Sequence, residues 1–378
     1  MDYIVMTKGK LFCFYIKDGG LFWRQYLNDV WSETGCIKKE GVTNFSVNLC
    51  EGKILILCQN ASYVEKISFD NGVCVISTLV SGGLAGQYYG INLDSDDVYV
   101  IHNIPVQGES SQILMSHNVS AKGIWSNSKH LGRIVPFTKN NAFWVIPVYS
   151  QHYLIFYQAV NSTSGVDLGY REIYGASKMG DFRVIHPQVN INNQNFSFLA
   201  DTGAVHMAYI TKNMLNTVLV YRRLDARGLS PKIIVSQGHQ IHSPLVYTRG
   251  GIIHIVFMKG TEMFECSIVE DSQLSASPPI RNLKNNLQNN SIARFLQDDT
   301  TKDMFSSNEI YVNSDKPWDI QLFTEIYHMT EKHNHNTEQN NNDRQLTLIG
   351  SQKDYDSFFE NTDGKAFAKQ FDESVDTP

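Results

Sequence analysis

The sequence predicts an all-β fold: a β-propeller of six four-stranded blades, with seven as the alternative count, followed by a polar, partly helical C-terminal extension. The first observation is a repeat, because residues 251–258 (GIIHIVFM) have five recognisable copies earlier in the chain. The second is that a run of alternating apolar and polar residues follows every copy, at the period of two that a strand imposes. The third is the abundance of tyrosine (18) and phenylalanine (20), which favours strands.

The copies define the blades. They begin at residues 9, 52, 96, 141, 203 and 251, and are therefore separated by 43, 44, 45, 62 and 48 residues. A period of this length is typical of repeat arrays in which each unit packs on its neighbours. Each copy is interpreted as the second strand of a blade, the run after it as the third, and shorter runs on either side as the first and fourth. A ring buries both faces of every sheet, so closure is favoured, with the innermost strands lining a channel.

One step departs from the period. The step of 62 residues between the fourth and fifth copies is the longest of the five. Residues 161–181, rich in glycine and serine, are predicted to hold the excess as a long loop. Because long loops on rigid frameworks often carry function, this segment is a candidate functional region.

The chain changes character near residue 282. Residues 282–378 contain 9 Lys and Arg against 17 Asp and Glu, together with 13 Asn. We therefore predict a propeller domain over residues 1–281 and an acidic, Asn-rich extension over residues 282–378. Apolar residues at helical spacing predict short helices near residues 317–331 and 354–371. An alternative left open is that residues 309–312 add a strand that closes the ring.

Composition excludes several classes of protein. A near-neutral body with an acidic tail lacks the basic field that nucleic acid requires. No apolar run approaches the roughly 18 residues of a membrane-spanning helix, and the N-terminal stretch lacks the features of a signal peptide, so a cytoplasmic location is expected. The six cysteines form no CxxC pair. Neither a metal nor a cofactor is predicted, and the histidine tract at residues 328–335 is interpreted as solvated.

The repeats resemble those of sialidase-like and lectin-like β-propellers. The shared pattern is Gly-x-aliphatic-His-x-x-aromatic, then a Tyr-centred strand, then Trp-Ser or Ser-Pro, and it is clearest in GAVHMAYI and the VLVYRRLDARGLSP that follows. The resemblance covers roughly residues 1–281 and concerns blade architecture, which hydrolases, lectins and scaffolds share. The Asp box of sialidases is missing. Catalytic sialidases use three arginines to hold their substrate, and this sequence offers only two candidates, Arg133 and Arg183. Sialidase activity is therefore disfavoured.

Six residues are predicted to contact a ligand at one rim of the channel. His186 precedes a proline and His242 precedes Ser-Pro, and both stand near the start of an innermost strand. Exposed aromatic side chains add surfaces that stack on sugar rings or anchor peptides. The complete set is Arg133, Gln151, Tyr170, Arg183, His186 and His242.

Three functions follow as hypotheses. The first is a non-catalytic propeller that displays a binding rim for a protein or a glycan, tethered or oligomerised through its tail. The second is a divergent carbohydrate-active enzyme, in which Asp167, Glu172 and Asp201 supply the carboxylates that glycoside hydrolysis needs. The third is a structural protein that assembles into homo-oligomers through residues 282–378. No residue is assigned a catalytic role, and the missing signatures favour binding.

Overall fold

The structure is a computed structural model of the 378-residue chain. It describes residues 2–320, except residues 28–29, 51, 82–85, 93–96, 121, 138–140, 150–151, 164, 176–177, 188–195, 202, 214–215, 270–272, 277–289 and 299–304. Every regular element among the described residues is a strand, which confirms the all-β prediction. The chain divides into two units, Met1–His333 and Asn334–Pro378, and the second lies wholly outside the described residues.

The first three blades follow the chain in order. Blade 1 contains β1 Tyr3–Thr7, β2 Lys10–Lys17, β3 Gly20–Leu27, β4 Val30–Trp31 and β5 Gly35–Lys38. Blade 2 contains β6 Val42–Cys50, β7 Lys53–Asn60, β8 Tyr63–Asp70 and β9 Val73–Ser81. Blade 3 contains β10 Tyr88–Asn92, β11 Val98–Pro105, β12 Gln112–Val119 and β13 Trp125–Val135.

The other three blades repeat the meander. Blade 4 contains β14 Phe143–Tyr149, β15 His152–Val160, β16 Val166–Tyr174, β17 Lys178–Met179 and β18 Arg183–His186. Blade 5 contains β19 Phe196–Asp201, β20 Ala204–Asn213, β21 Asn216–Asp225, β22 Gly228–Leu229 and β23 Ile233–Gly238. Blade 6 contains β24 Ile241–Arg249, β25 Ile252–Lys259, β26 Glu262–Val269 and β27 Gln273–Ala276. Three further strands follow, β28 Asn290–Gln297, β29 Phe305–Ser307 and β30 Glu309–Asn313.

Tight turns join consecutive strands within a blade. Asn71 and Gly72, between β8 and β9, both have left-handed backbone, with φ of 48° and 89°. Asp18 and Gly19, between β2 and β3, do the same with φ of 51° and 74°. A hairpin turn with two left-handed residues matches the twist of the strands it joins, and Asn, Asp and Gly adopt that conformation most readily. The turn signals in the sequence therefore mark real hairpins.

Six apolar clusters close the ring, because one lies between each pair of successive blades, including blades 6 and 1. Along β1, Tyr3 and Val5 pack towards blade 2. Ile4 and Met6, on the opposite face of the same strand, pack against Tyr247 and Val256 of blade 6. Burying a large apolar side chain contributes about 1.5–3 kcal/mol, so these interfaces hold the blades together. The prediction of six blades is confirmed.

The C-terminal strands occupy the centre of the ring. β28 pairs in parallel with β1, β30 pairs with β28, and β29 pairs with β24, the innermost strand of blade 6. The Asn308 side chain accepts a hydrogen bond from the Ala200 amide of blade 5 at 2.9 Å. Among the described residues, a cavity of about 30 Å³ lies between the innermost blade strands and the C-terminal strands. The C-terminal strands therefore occupy part of the predicted channel, which corrects the expectation that the innermost strands of the blades line it alone.

Residues 309–312 do form a strand, as the open alternative proposed. Of the predicted helix near residues 317–331, only residues 317–320 are described; they form a turn that ends in a bridge between Ile320 and Val312, and they are not helical. The remainder of that segment and residues 354–371 lie outside the described residues. The domain boundary at residue 281 stays a prediction.

Blade 4 corrects the predicted register. Residues 141–148 were expected to be its second strand, but β14 is the first strand and β15 the second. The predicted long loop at residues 161–181 is also wrong, because β16 and β17 occupy much of it. Both β14 and β15 carry apolar residues on both faces, so their sequences alone do not distinguish a first strand from a second.

Candidate functional site

The predicted ligand contacts are distributed over three blades. Arg133 lies near the end of β13 in blade 3, where one guanidinium nitrogen contacts both oxygens of Glu109, at 2.7 and 2.6 Å. His186 ends β18 in blade 4, and its Nδ1 donates to the Pro187 carbonyl at 2.8 Å. Gln151 lies outside the described residues. The structure therefore gives Arg133 and His186 partners of their own and does not bring them into one site.

His242 lines an open depression on blade 6. The depression has a volume of about 720 Å³ and is lined by residues 240–242 and 259–262. Gln240 and Ser243, on either side of His242, have left-handed backbone with φ of 59° and 52°. However, both ring nitrogens of His242 are engaged, with Ser243 Oγ at 3.1 Å and the Gly260 carbonyl at 3.2 Å. The lining contains no Phe, Tyr or Trp, so the depression offers no large aromatic surface for stacking.

Tyr170 and Arg183 are the two predicted residues that the structure brings together. They are register partners on β16 and β18 in blade 4. Side chains alternate along a strand, so Glu172 and Tyr174 share the face of β16 that carries Tyr170. His152, on β15, is the register partner of Tyr174. We call these five residues the Tyr174 cluster.

The aromatic part of the cluster is a stacked pair. The rings of His152 and Tyr174 have centroids 4.4 Å apart and planes within 5° of each other. His152 is buried, whereas Tyr174 is 38% exposed. Burial lowers the pKa of His152, although the Glu172 carboxylate acts in the opposite direction. The imidazole is therefore neutral near pH 7 and supports the tyrosine ring from behind without carrying a charge.

The charged part of the cluster flanks that ring. The Tyr174 hydroxyl donates to the Glu172 carboxylate. Arg183 lies on the other side of the carboxylate, with its guanidinium nitrogen 4.0 Å from Glu172 Oε1 and its side chain 41% exposed. Burial raises the pKa of Tyr170, and the neighbouring Glu172 acts in the same direction, so this phenol stays protonated. An exposed ring thus lies beside one carboxylate and one guanidinium.

The arrangement differs from that of most glycoside hydrolases. Most of these enzymes place two carboxyl groups on either side of the scissile bond, and Glu172 is the one carboxylate of the Tyr174 cluster. Asp167 is five positions from Glu172 on the same strand and so faces the other side of the blade. Its carboxylate accepts a hydrogen bond from the Asn161 side chain at 3.2 Å. Asp201 ends β19 in blade 5.

Comparisons with known proteins found similarity among solved structures. No family model matches it, and a search of curated proteins found no match. Among solved structures, the BP39L lectin from Burkholderia pseudomallei is 8% identical with a TM-score of 0.47, over 72% of this chain and 81% of that one. The polysaccharide lyase Uly1 is 11% identical with a TM-score of 0.47, over 83% and 90%. A subtype N10 neuraminidase-like protein of A/little yellow-shouldered bat is 12% identical with a TM-score of 0.41, over 71% and 93%.

The predicted blade architecture, which was all that the resemblance to sialidase-like and lectin-like propellers concerned, is confirmed by the six blades. Similarities this remote do not indicate what the chain binds. In the part of the chain that the structure describes, no three His, Cys, Asp or Glu side chains come together as metal ligands. The same residues include no helix with the length and apolar character needed to cross a membrane.

Two members of the Tyr174 cluster were missed by the sequence reasoning. The i, i+2, i+4 spacing of Tyr170, Glu172 and Tyr174 was visible, and it would have placed the three side chains on one face of a strand. His152 had no comparable signal, since only the pairing of β15 with β16 brings its ring under Tyr174.

Proposed function

We propose that this chain is a non-catalytic glycan-binding β-propeller whose ligand docks on the Tyr174 cluster. The observation that carries the proposal is the exposed Tyr174 ring stacked on the buried His152 ring, with Glu172 and Arg183 beside it. A sugar ring has an apolar face that packs on an aromatic ring and hydroxyl groups at its edge. A carboxylate accepts hydrogen bonds from such hydroxyls, and a guanidinium donates to them.

The small central cavity supports a site on the outside of the ring. The central cavity of about 30 Å³ is lined by side chains such as Arg294 and Trp144. A cavity of that size holds about one water molecule, far less than a sugar ring requires. A cavity of this size favours a site outside the centre of the ring for a ligand as large as a sugar.

The stacked pair also supports rigidity. Two rings that are already in contact lose little conformational freedom when a third ring packs on them, and preorganisation of this kind lowers the free-energy cost of binding. The positions of Arg183 and Glu172 are fixed by neighbouring strands of one blade, so the polar groups are held at a constant distance from the ring. Arg133, His186 and His242 remain predictions that lie apart from this site.

The test is a glycan array followed by calorimetry on the best ligand. Tyr174→Ala removes the stacking ring, and we expect at least a tenfold weaker Kd, which corresponds to about 1.4 kcal/mol. Tyr174→Phe keeps the ring and loses only the hydroxyl, so it should bind more tightly than the alanine variant. Tyr63→Ala, on β8 of blade 2, is the matched control and should bind as the wild type does.

Three results would contradict the proposal. Unchanged glycan affinity in Tyr174→Ala would remove the Tyr174 cluster as the site. Release of reducing sugar from an array hit, abolished by Glu172→Gln, would replace a binding function with catalysis. An array with no hits, combined with retention of a protein by the wild-type chain but not by Tyr174→Ala, would assign the cluster to a protein ligand instead.

A further inference from the structure

The outer edge of blade 2 is an unprotected strand. β9 pairs with β8 on one side, and no described strand pairs with its other side. Val73 and Val75 are 68% and 67% exposed, and Ile76 is 42% exposed. The whole strand, VCVISTLVS, contains no charged residue and no proline. Proteins commonly use both to prevent an exposed edge from pairing with another chain, so β9 lacks the usual protection.

Other outer strands carry that protection or are shorter. β13 contains Lys129 and Arg133, β18 begins at Arg183, and β5 ends at Lys38. β23 in blade 5 is also uncharged, but it spans six residues where β9 spans nine. Among the described outer strands, β9 of blade 2 therefore has the longest uncharged edge.

Blade 3 defines which part of this edge is free. The Trp125 indole, on β13 of blade 3, donates a hydrogen bond to the Leu79 carbonyl at 2.9 Å. Blade 3 therefore already contacts the C-terminal end of β9. Among the described residues of blade 3, none makes such a hydrogen bond to residues 73–77. Val75 is the midpoint of this free segment, and its side chain lies on the same face as those of Val73 and Ser77.

We propose that a second copy of this chain pairs antiparallel with β9 about a two-fold axis at Val75. In this register Val73 of each copy faces Ser77 of the other, and the two Val75 side chains face each other. No like charges meet, because the strand has none. An isologous contact uses the same patch twice, and an uncharged edge is complementary to itself. A partner of opposite charge would have no charged group on this edge to recognise.

The pairing of two β9 strands is expected to form a dimer of low affinity. Five residues on each side bury much less than the roughly 1,200–2,000 Å² of a stable protein interface, so a dissociation constant in the micromolar range is expected. The backbone hydrogen bonds and the exposed valines supply the free energy, and both are available in the folded monomer without rearrangement. The inference is independent of glycan binding, since the Tyr174 cluster lies on blade 4.

Sedimentation velocity of the full chain from about 5 to 200 µM tests the dimer, since that range brackets a micromolar dissociation constant. We expect the wild type to shift from monomer to dimer with concentration. Val75→Lys places two ammonium groups opposite each other across the axis, which is unfavourable, and should remain monomeric. Ile234→Lys, at a residue that is 57% exposed on β23, is the matched control and should dimerise as the wild type does.

The outcomes separate clearly. A wild type that stays monomeric over the whole range overturns the proposal, and so does a Val75→Lys variant that dimerises normally. Loss of dimer in both lysine variants would show a general charge effect and would also overturn it. Thermal unfolding of each variant checks the fold, and equal Tm values are expected because both substituted residues are exposed.

Discussion

Arg294 and Glu309 face each other at the centre of the ring, one on β28 and one on β30, with Arg294 NH1 3.4 Å from Glu309 Oε1. Both side chains are buried, and the guanidinium lies over the rings of Trp144 and Phe198 at 5.2 and 5.1 Å. Burial lowers the pKa of Arg294 and raises the pKa of Glu309, and the attraction between the two groups opposes both shifts. The C-terminal strands thus bring a buried ion pair into contact with blades 4 and 5.

We predict that breaking this pair destabilises the whole ring. Arg294→Met leaves the Glu309 carboxylate buried without its cation, and removal of one partner of a buried pair typically costs about 3–5 kcal/mol. The double variant Arg294→Met with Glu309→Gln removes both charges and should lose less stability than the single variant. Urea unfolding followed by tryptophan fluorescence measures both. A single variant as stable as the wild type would mean that the ion pair does not hold the C-terminal strands in the ring.

We predict that the C-terminal strands are required for closure. A chain that ends at residue 281 lacks β28, β29 and β30, and so exposes Ile4 and Met6, which now pack with Phe295 and Ile310. It should aggregate or unfold at a lower temperature than the full chain. A chain that ends at residue 320 keeps all three strands and is expected to retain the wild-type circular dichroism spectrum and Tm. Equal stability of the two truncations would contradict this.

The hypothesis that the protein assembles through residues 282–378 needs a shorter deletion as its test. Removal of residues 282–378 was expected to return a monomer if the tail assembles the protein, but that deletion also removes the strands that fill the ring. Deletion of residues 321–378 separates the two effects, because the described strands remain. Light scattering on this shorter deletion then reports on assembly through the tail alone.

We predict that acid weakens the interface between blades 2 and 3. His102 is buried there, stacked on Tyr88 at 5.0 Å, and neither ring nitrogen has a hydrogen-bond partner among the described residues. Burial, with a smaller contribution from His117, lowers the pKa of His102 from 6.5 to about 4. The pKa of His102 is therefore lower in the folded chain than in the unfolded chain, so that below pH 6.5 the unfolded chain binds the proton more readily. The free energy of unfolding is fully retained above pH 6.5 and falls as the pH falls towards 4, by up to about 1.4 kcal/mol per pH unit.

His102→Phe tests this dependence. Phenylalanine keeps a ring against Tyr88 and does not titrate, so the fall in the free energy of unfolding between pH 6.5 and 4 should be smaller than in the wild type. His206, whose pKa burial also lowers to about 4, contributes a similar fall that the variant retains. Urea unfolding at several pH values measures the slope. An unchanged slope in His102→Phe would assign the acid sensitivity to other groups.

We predict that Gly169 controls the geometry of the candidate site. A Cβ atom at this position of β16 would lie 2.3 Å from the Arg183 carbonyl oxygen and 2.4 Å from the Phe182 ring. Gly169→Ala therefore pushes β18 away from β16 and separates Arg183 from Tyr170. We expect lower stability and weaker glycan binding. Gly180→Ala in the same blade is the control, because its Cβ meets no atom closer than 3.6 Å. Equal effects of the two variants would contradict the packing argument.

The candidate site shows how far the sequence prediction reached. Tyr170 and Arg183 were predicted as ligand contacts, and the structure makes them register partners, although their contact with a ligand stays a prediction. His242 and Arg133 were grouped with them because residues near the starts of innermost strands were expected to converge on one rim of the channel. Glu172 was considered only as one of three candidate carboxylates for hydrolysis, within a segment that was predicted to hold a long loop.

Local chemistry determined the repeated elements of this protein. Alternating residues such as Val218, Leu219 and Val220 predict a strand whatever surrounds them, and Asn71-Gly72 predicts a hairpin turn from the conformations those residues adopt. The period of the copies then predicts six blades. These features depend on residues close in the chain, which is why the sequence by itself was sufficient for them.

The tertiary structure alone decided what fills the ring and where a site forms. The pairing of β28 with β1 joins residues nearly 300 positions apart, such as Tyr3 and Arg294, and no short-range pattern encodes it. The contact of His152 with Tyr174 likewise depends on the register between two strands. The physical reason is common to both cases: a strand sequence indicates which faces are buried, but pairing partners are chosen by the packing of the whole ring.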